Sequence, residues 1–334
     1  MIRAVGFAVT LGMIGSAHAL PVQDQISLVE PLRGLQALDQ RVLSVGHRLS
    51  IAATDLCDGG VPIAGFLIHD LSQYPNSARA DVRRVFDLDT SPQVLATAEG
   101  GAAVAAGLRS DDAIVAIEGK PVAPADDASN SYRRTAAVVD AIEVAIADGD
   151  IAVSVERSDG IREIGWRAER GCPSRFGTRT GQSLDALADG IEVQVNVALV
   201  EFAADDGELA AVVAHEFSHN LLRHRARLNA AGVNRGFFGQ FGRSGRMVRM
   251  TEEEADRLSV YLVARAGYPV ESLLGFWERF ASRRSDFLRA PTHMGSRERL
   301  ALFRDEIARL KERQAAGLPL RPAFMDAATL PPLR

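Results

Sequence analysis

His215, Glu216 and His219, in the order His-Glu-x-x-His, are the residues in this chain whose types and spacing most directly imply chemistry. The segment before them, Leu209 to Ala214, is apolar and suits a helix, on which residues four apart share a face. Both imidazoles can then reach one metal ion, with Glu216 beside the coordination position left open. That is the arrangement of a hydrolytic zinc site with a carboxylate as general base. A third protein ligand is required. Glycine at 222 and histidine at 225 would supply it within the same run, but the chain has Leu222 and Arg225. His224 is one residue out of register and reads as an exposed or helix-capping residue.

Carboxylates for the third position come from Thr251 onward, where Glu252 and Asp256 stand four apart on a second helix predicted from about Glu252 to Ala266. One of them completes a His, His, Glu set. The other accepts a ring N–H from a ligand histidine and fixes its tautomer. Glu253 and Glu254 point to other faces. Favourable charge at a helix N-terminus is the alternative account of the same acidic cluster.

Together, ELAAVVAHEFSH and the later EEEAD resemble the gluzincin peptidases that include HtpX, the Ste-type CAAX proteases and the periplasmic BepA-like enzymes, over about residues 184–310. The resemblance implies one Zn2+ per chain on His215, His219 and Glu252, with Asp256 behind the ligands and Glu216 as catalytic base. That family also carries a Thr-His-Pro segment before its last helix, followed by an arginine. Here Thr292 and His293 are followed by Met294 in place of the proline. By resemblance, His293 contacts the substrate oxyanion or caps the metal in a latent state, with Arg299 nearby.

The elements that must position these residues are mixed. Residues 35–56 carry Leu38, Val42, Val45 and Leu49 at helical spacing, one buried stripe on a helix ending near Cys57. Asp58, Gly59 and Gly60 break it, and short strand-like runs follow to about Arg167. Within them, residues 93–122 resemble a PDZ domain: small residues from Gly101 to Gly107, then Leu108, Asp112, Ile114, Ile117 and Gly119. A helix from about Tyr132 to Ala147 and a hairpin turning at Asp159 and Gly160 complete that module. Beyond Gly181, residues 191–202 suggest a strand whose part from Ile191 to Val197 is an edge for an extended peptide. Asp205 or Asp206 then caps a helix running through Arg225. Glycine-rich residues 232–247, with Arg235, Arg243 and Arg246, read as a mobile loop over the cleft. Helices are predicted at Val270 to Ser285 and Ser296 to Arg313, before a proline-rich extended tail. The expected fold is α+β: a mainly helical, zincin-like minigluzincin body with an inserted, β-rich, PDZ-like module. Its division is a signal at 1–19, an N-terminal helical part of the body at 20–58, the insert at 60–168, the peptidase domain at 171–315 and the tail at 316–334.

Composition narrows the functions. With 47% hydrophobic and 24% charged residues the chain is not a disordered or fibrous protein. A net charge of -5 without a basic block excludes a phosphate-backbone binder, so no nucleic-acid partner is expected. Arg3, an apolar run from Ala4 to about Ser16, and Ala17 and Ala19 around His18 read as a secretory signal cleaved after Ala19. Export to the periplasm or beyond leads us to expect that the only two cysteines, Cys57 and Cys172, pair across the insert. No segment of the mature chain is expected to span a membrane, which leaves peripheral association open. The expected activity is zinc-dependent endoproteolysis of protein or peptide substrates, with the PDZ-like module taking a peptide ligand. The alternative is a periplasmic peptide-binding or chaperone-like protein whose zinc is structural or latent.

Overall fold

The computed structural model describes residues 29–57, 59–123, 131–233, 242–283, 294–327, 330 and 333. The expected signal at 1–19, and Thr292 and His293, lie outside them. Helices and sheets are mixed, an α+β fold built on two main apolar cores with two smaller clusters beside them.

Helix α1 (Val29–Ala52) packs on both sides, into the larger core and against the smaller unit. The expectation of one buried stripe is corrected to two. Val42, Val45 and Leu49 enter the larger, mainly helical core, whereas Leu43 packs against Ala96 and Ala98 on the other side. A helix pressed from two sides buries more than one stripe.

The smaller core follows. Strand β1 (Val61–Pro62) leads into β2 (Phe66–His69), α2 (Arg79–Phe86), β3 (Gln93–Thr97), α3 (Ala102–Ala105), β4 (Ala113–Ile117) and β5 (Lys120–Pro121). After α4 (Arg133–Ala145) come β6 (Asp150–Arg157), β7 (Gly160–Arg167) and β8 (Arg170–Gly171). The sheet runs β2-β3-β4-β6-β7, all antiparallel, with β5 on β4. Alternation places Ile151, Val153 and Val155 of β6 inward with Ile164 and Trp166 of β7, against Val138 and Ile142 of α4. The hairpin turns at Ser158 and Asp159, because Gly160 already pairs with Arg157. At the neck of this unit β1 pairs with β8, and a disulfide joins Cys57 to Cys172.

The larger core begins with β9 (Arg175–Arg179), β10 (Ala186–Ala188) and β11 (Glu192–Asn196), in the order β10-β11-β9. The strand expected at an edge, β11, is therefore interior: it pairs in parallel with β9 and antiparallel with β10. The edges are β9 and β10, and the one along the cleft is β10, too short and too polar in its surroundings to read as a strand. At Gly46 of α1 a Cβ would stand 2.1 Å from the ring of Phe176, so glycine is what lets helix and strand approach.

Helix α5 (Val197–Phe202) leads to α6 (Asp206–Leu221), capped by Asp205, whose carboxylate accepts from the Glu208 N–H at 2.8 Å. Leu209 to Ala214 are buried all round, which makes α6 the central helix of this core. It does not run through Arg225 as expected. Arg223, at φ 52°, sits in the left-handed region and turns the chain into α7 (His224–Ala230). The second metal-site helix also differs from expectation: α8 (Gly242–Arg265) starts ten residues before Glu252, so Arg243 and Arg246 are helical and not in a loop. Residues 234–241 of that expected loop lie outside the described ones. Helices α9 (Glu271–Arg283) and α10 (Ser296–Ala315) close the core. The tail is not simply extended, because a single turn at Ala323–Met325 helps pack Leu320, Phe324 and Met325 on the core. Among the described residues no helix is long and apolar enough to cross a membrane.

Candidate metal centre

Helix α6 carries His215 and His219 one turn apart, and their Nε2 atoms stand 3.3 Å from each other. Helix α8 packs along α6 and brings Glu252 to the same point. Its Oε2 is 3.7 Å from His215 Nε2 and its Oε1 is 3.6 Å from His219 Nε2. These three are the group among the described residues that could hold a metal ion. A tetrahedral zinc with bonds of about 2.0–2.2 Å would separate its ligand atoms by roughly 3.4 Å. The observed spacings match that, and two imidazoles with one carboxylate are a donor set zinc accepts, so the residues fit the ion. The acidic cluster is not a helix N-terminus, since Glu252 lies inside α8.

Behind His215 stands Asp256, wholly buried, with Oδ1 2.8 Å from His215 Nδ1. Arg299 of α10 donates to both its carboxylate oxygens, at 2.6 and 2.7 Å, and lies 3.6 Å above the ring of Trp277. Burial alone would raise the Asp256 carboxyl, but Arg299 and His215 hold it below the usual range. His215 shows the converse. Burial would depress it, yet Asp256 and then Glu252 push it up to about 10, so a metal bound here must displace the Nε2 proton. His219, depressed to about 3 chiefly by burial, is neutral and ready to donate a lone pair. Burial, reinforced by Glu252, lifts Glu216 to about 7 against His215 and Arg299. A carboxyl that titrates near neutrality can both take and return a proton.

His224 is not the exposed or capping residue expected from the sequence. It is buried, with Nδ1 2.9 Å from His219 Nδ1 and Nε2 3.0 Å from Glu254 Oε2. Arg227 donates to the same Glu254 at 2.5 and 3.2 Å. Glu253 turns away to Arg257.

His215, Glu216, His219, Glu252 and Arg299 line one cleft of about 330 Å3. Its opposite wall is Leu184 to Ala188, which includes all of β10, and Trp277 and Phe280 of α9 form an aromatic side. The aromatic wall was not foreseen: α9 reads in sequence as one more amphipathic helix. His293 lies outside the described residues, so nothing places it at the cleft, whereas its neighbour Met294 is buried in the larger core.

Among curated proteins none matches this chain. A family model does match part of it, ending before Glu252 but containing β9 to α7 with both histidines and Glu216: residues 168–242 are similar to Peptidase family M48, zinc-dependent metallopeptidases.

Proposed function

We propose that this chain is an exported zinc metalloendopeptidase of the HtpX and BepA-like type, with a PDZ-like module at about 60–168 and the peptidase body at 171–315. The observation that carries the reading is the meeting of His215, His219 and Glu252 in a cleft that also holds Glu216 and an open strand edge. When bound, zinc would supply Lewis acidity toward a peptide carbonyl and acidify a water in its fourth position. Glu216 takes the proton of the attacking water and returns it to the leaving amine. Asp256, held by Arg299, keeps the Nδ1 proton of His215 and leaves Nε2 as the ligand atom. The free edge of β10 accepts an extended substrate by main-chain hydrogen bonds, which suits cleavage within a chain.

The PDZ-like reading is supported by the antiparallel sheet with its β2 edge beside α4, where a peptide ligand could add a strand. Export is supported by the apolar N-terminal run and by the disulfide, since such bonds persist in oxidising compartments. The decisive experiment is Glu216→Gln, assayed for zinc content and casein cleavage. The variant should retain zinc and lose cleavage by about two to four orders of magnitude. Cleavage that survives both this change and chelation overturns the proposal.

A further inference from the structure

The two ring nitrogens of His219 have different surroundings. Nε2 faces His215 and Glu252 at 3.3 and 3.6 Å, so a metal there takes the Nε2 lone pair and the proton of the neutral ring sits on Nδ1. Nδ1 in turn is 2.9 Å from Nδ1 of His224. Since His219 donates, His224 accepts at Nδ1 and carries its own proton on Nε2, 3.0 Å from the Glu254 carboxylate. Arg227 closes the line by donating to Glu254. Every proton position from the metal ligand to the guanidinium is thereby determined.

Chain geometry was bent to make this contact. On a continuous helix, five residues turn through about 500°, which would set residue 224 roughly 140° away from residue 219. Arg223, left-handed without being glycine, ends α6 and returns His224 to the ring of His219. His215 has its own support in Asp256 and Arg299, so each ligand histidine is backed by an acid and an arginine. The difference is that Glu254 stands one imidazole farther from the metal position than Asp256 does.

Resting on the metallopeptidase reading, we propose that His224, backed by Glu254 and Arg227, is a positioning residue that fixes the tautomer and orientation of His219 for zinc. Lost support of this kind costs about 10- to 100-fold in metal affinity. The test is competition for zinc between a chromophoric chelator and the purified chain, in wild type, His224→Leu, His224→Asn and Arg227→Met, alongside thermal unfolding of the zinc-free forms. His224→Leu should lose about 10- to 100-fold in affinity, and His224→Asn should recover most of it because its amide oxygen can accept where Nδ1 did. Arg227→Met should lose less. Nitrogen-15 spectra of the zinc-loaded wild type should show His219 protonated at Nδ1. Wild-type affinity in His224→Leu overturns the proposal, and so does an asparagine variant as weak as the leucine one at equal zinc-free stability. If His224→Leu does not fold, the asparagine and Arg227 variants and the Nδ1 proton decide in the same way. A wild-type chain that takes up no zinc removes the metallopeptidase reading itself, a result distinct from zinc uptake indifferent to His224.

Discussion

Asp256 is a carboxylate with no access to water, a state that only partners can sustain. Two N–H groups of Arg299 and the ring of His215 supply them, and they outweigh a burial that would otherwise favour the neutral acid. Asp256→Asn keeps the shape but removes the charge from between the ligand ring and Arg299. Zinc affinity, measured by chelator competition, should fall about 10- to 100-fold, with less change in the unfolding of the zinc-free chain. An unchanged affinity would mean that Asp256 serves the fold and not the ion. The pairs His215/His219 and Glu252/Asp256 were each legible in the sequence because a spacing of four on a helix obliges a shared face, whereas only the family resemblance joined the two pairs and told the ligand carboxylate from the supporting one. His224 was not legible. Its position depends on a backbone reversal at Arg223, where neither glycine nor proline marks a break. Trp277 was hidden for another reason: it reaches the cleft only through the packing of α9, and its nearest partner, Arg299, is on a different helix.

Among the elements, the one that would receive a substrate on the proposed reading is β10. Asp189 donates to the Glu192 carbonyl, and Asn196 donates to that of Asp185, so the odd-numbered residues of this segment turn their polar groups toward β11. The strand period then points the N–H groups of Ala186 and Ala188 away from β11, to the free edge along the cleft. Proline at an edge strand is tolerated when the N–H it removes faces outward. Ala186→Pro should therefore leave the β10–β11 pairing intact while removing one donor to the substrate. A lost hydrogen bond of about 0.5–1.5 kcal/mol corresponds to a roughly 2- to 10-fold loss in kcat/KM on a peptide substrate. Ala186→Val, which keeps the donor, is the control, and equal kinetics for the two variants would place the substrate elsewhere. The sequence revealed β11 as a strand through its alternation, but pairing is non-local, and nothing within residues 191–197 says which neighbours cover it. The start of α8 was obscured similarly: three glutamates after Thr251 look like a helix N-terminus, although the helix had begun at Gly242.

At the scale of the molecule, α1 is the helix packed on both sides, by the larger core and by β3, and its contacts show how the smaller unit is anchored. Near its start, Arg33 and Gln36 reach Asp111 beside β4. Asp39 accepts from both the N–H and hydroxyl of Thr178 on β9, and at the helix's last residue Arg265 of α8 donates to the Ala52 carbonyl. Pairing of the cysteines could be read from their number and the expected compartment, whereas the double burial of α1 could not, because an apolar stripe does not say how many partners share it. The disulfide closes the neck where β1 meets β8, across 115 residues of chain. In the chain-entropy account a bridge of that span removes freedom from the unfolded chain worth about 4–5 kcal/mol, and neither cysteine lines the cleft. Cys57→Ser with Cys172→Ser should thus lower the unfolding free energy in denaturant by about that amount, while the folded fraction keeps wild-type zinc affinity. A loss below about 1 kcal/mol would show that the β1–β8 pair and α1 already confine the neck without the bridge. A parallel fall in zinc affinity would show instead that strain at the neck is carried through α1 and α8 to Glu252.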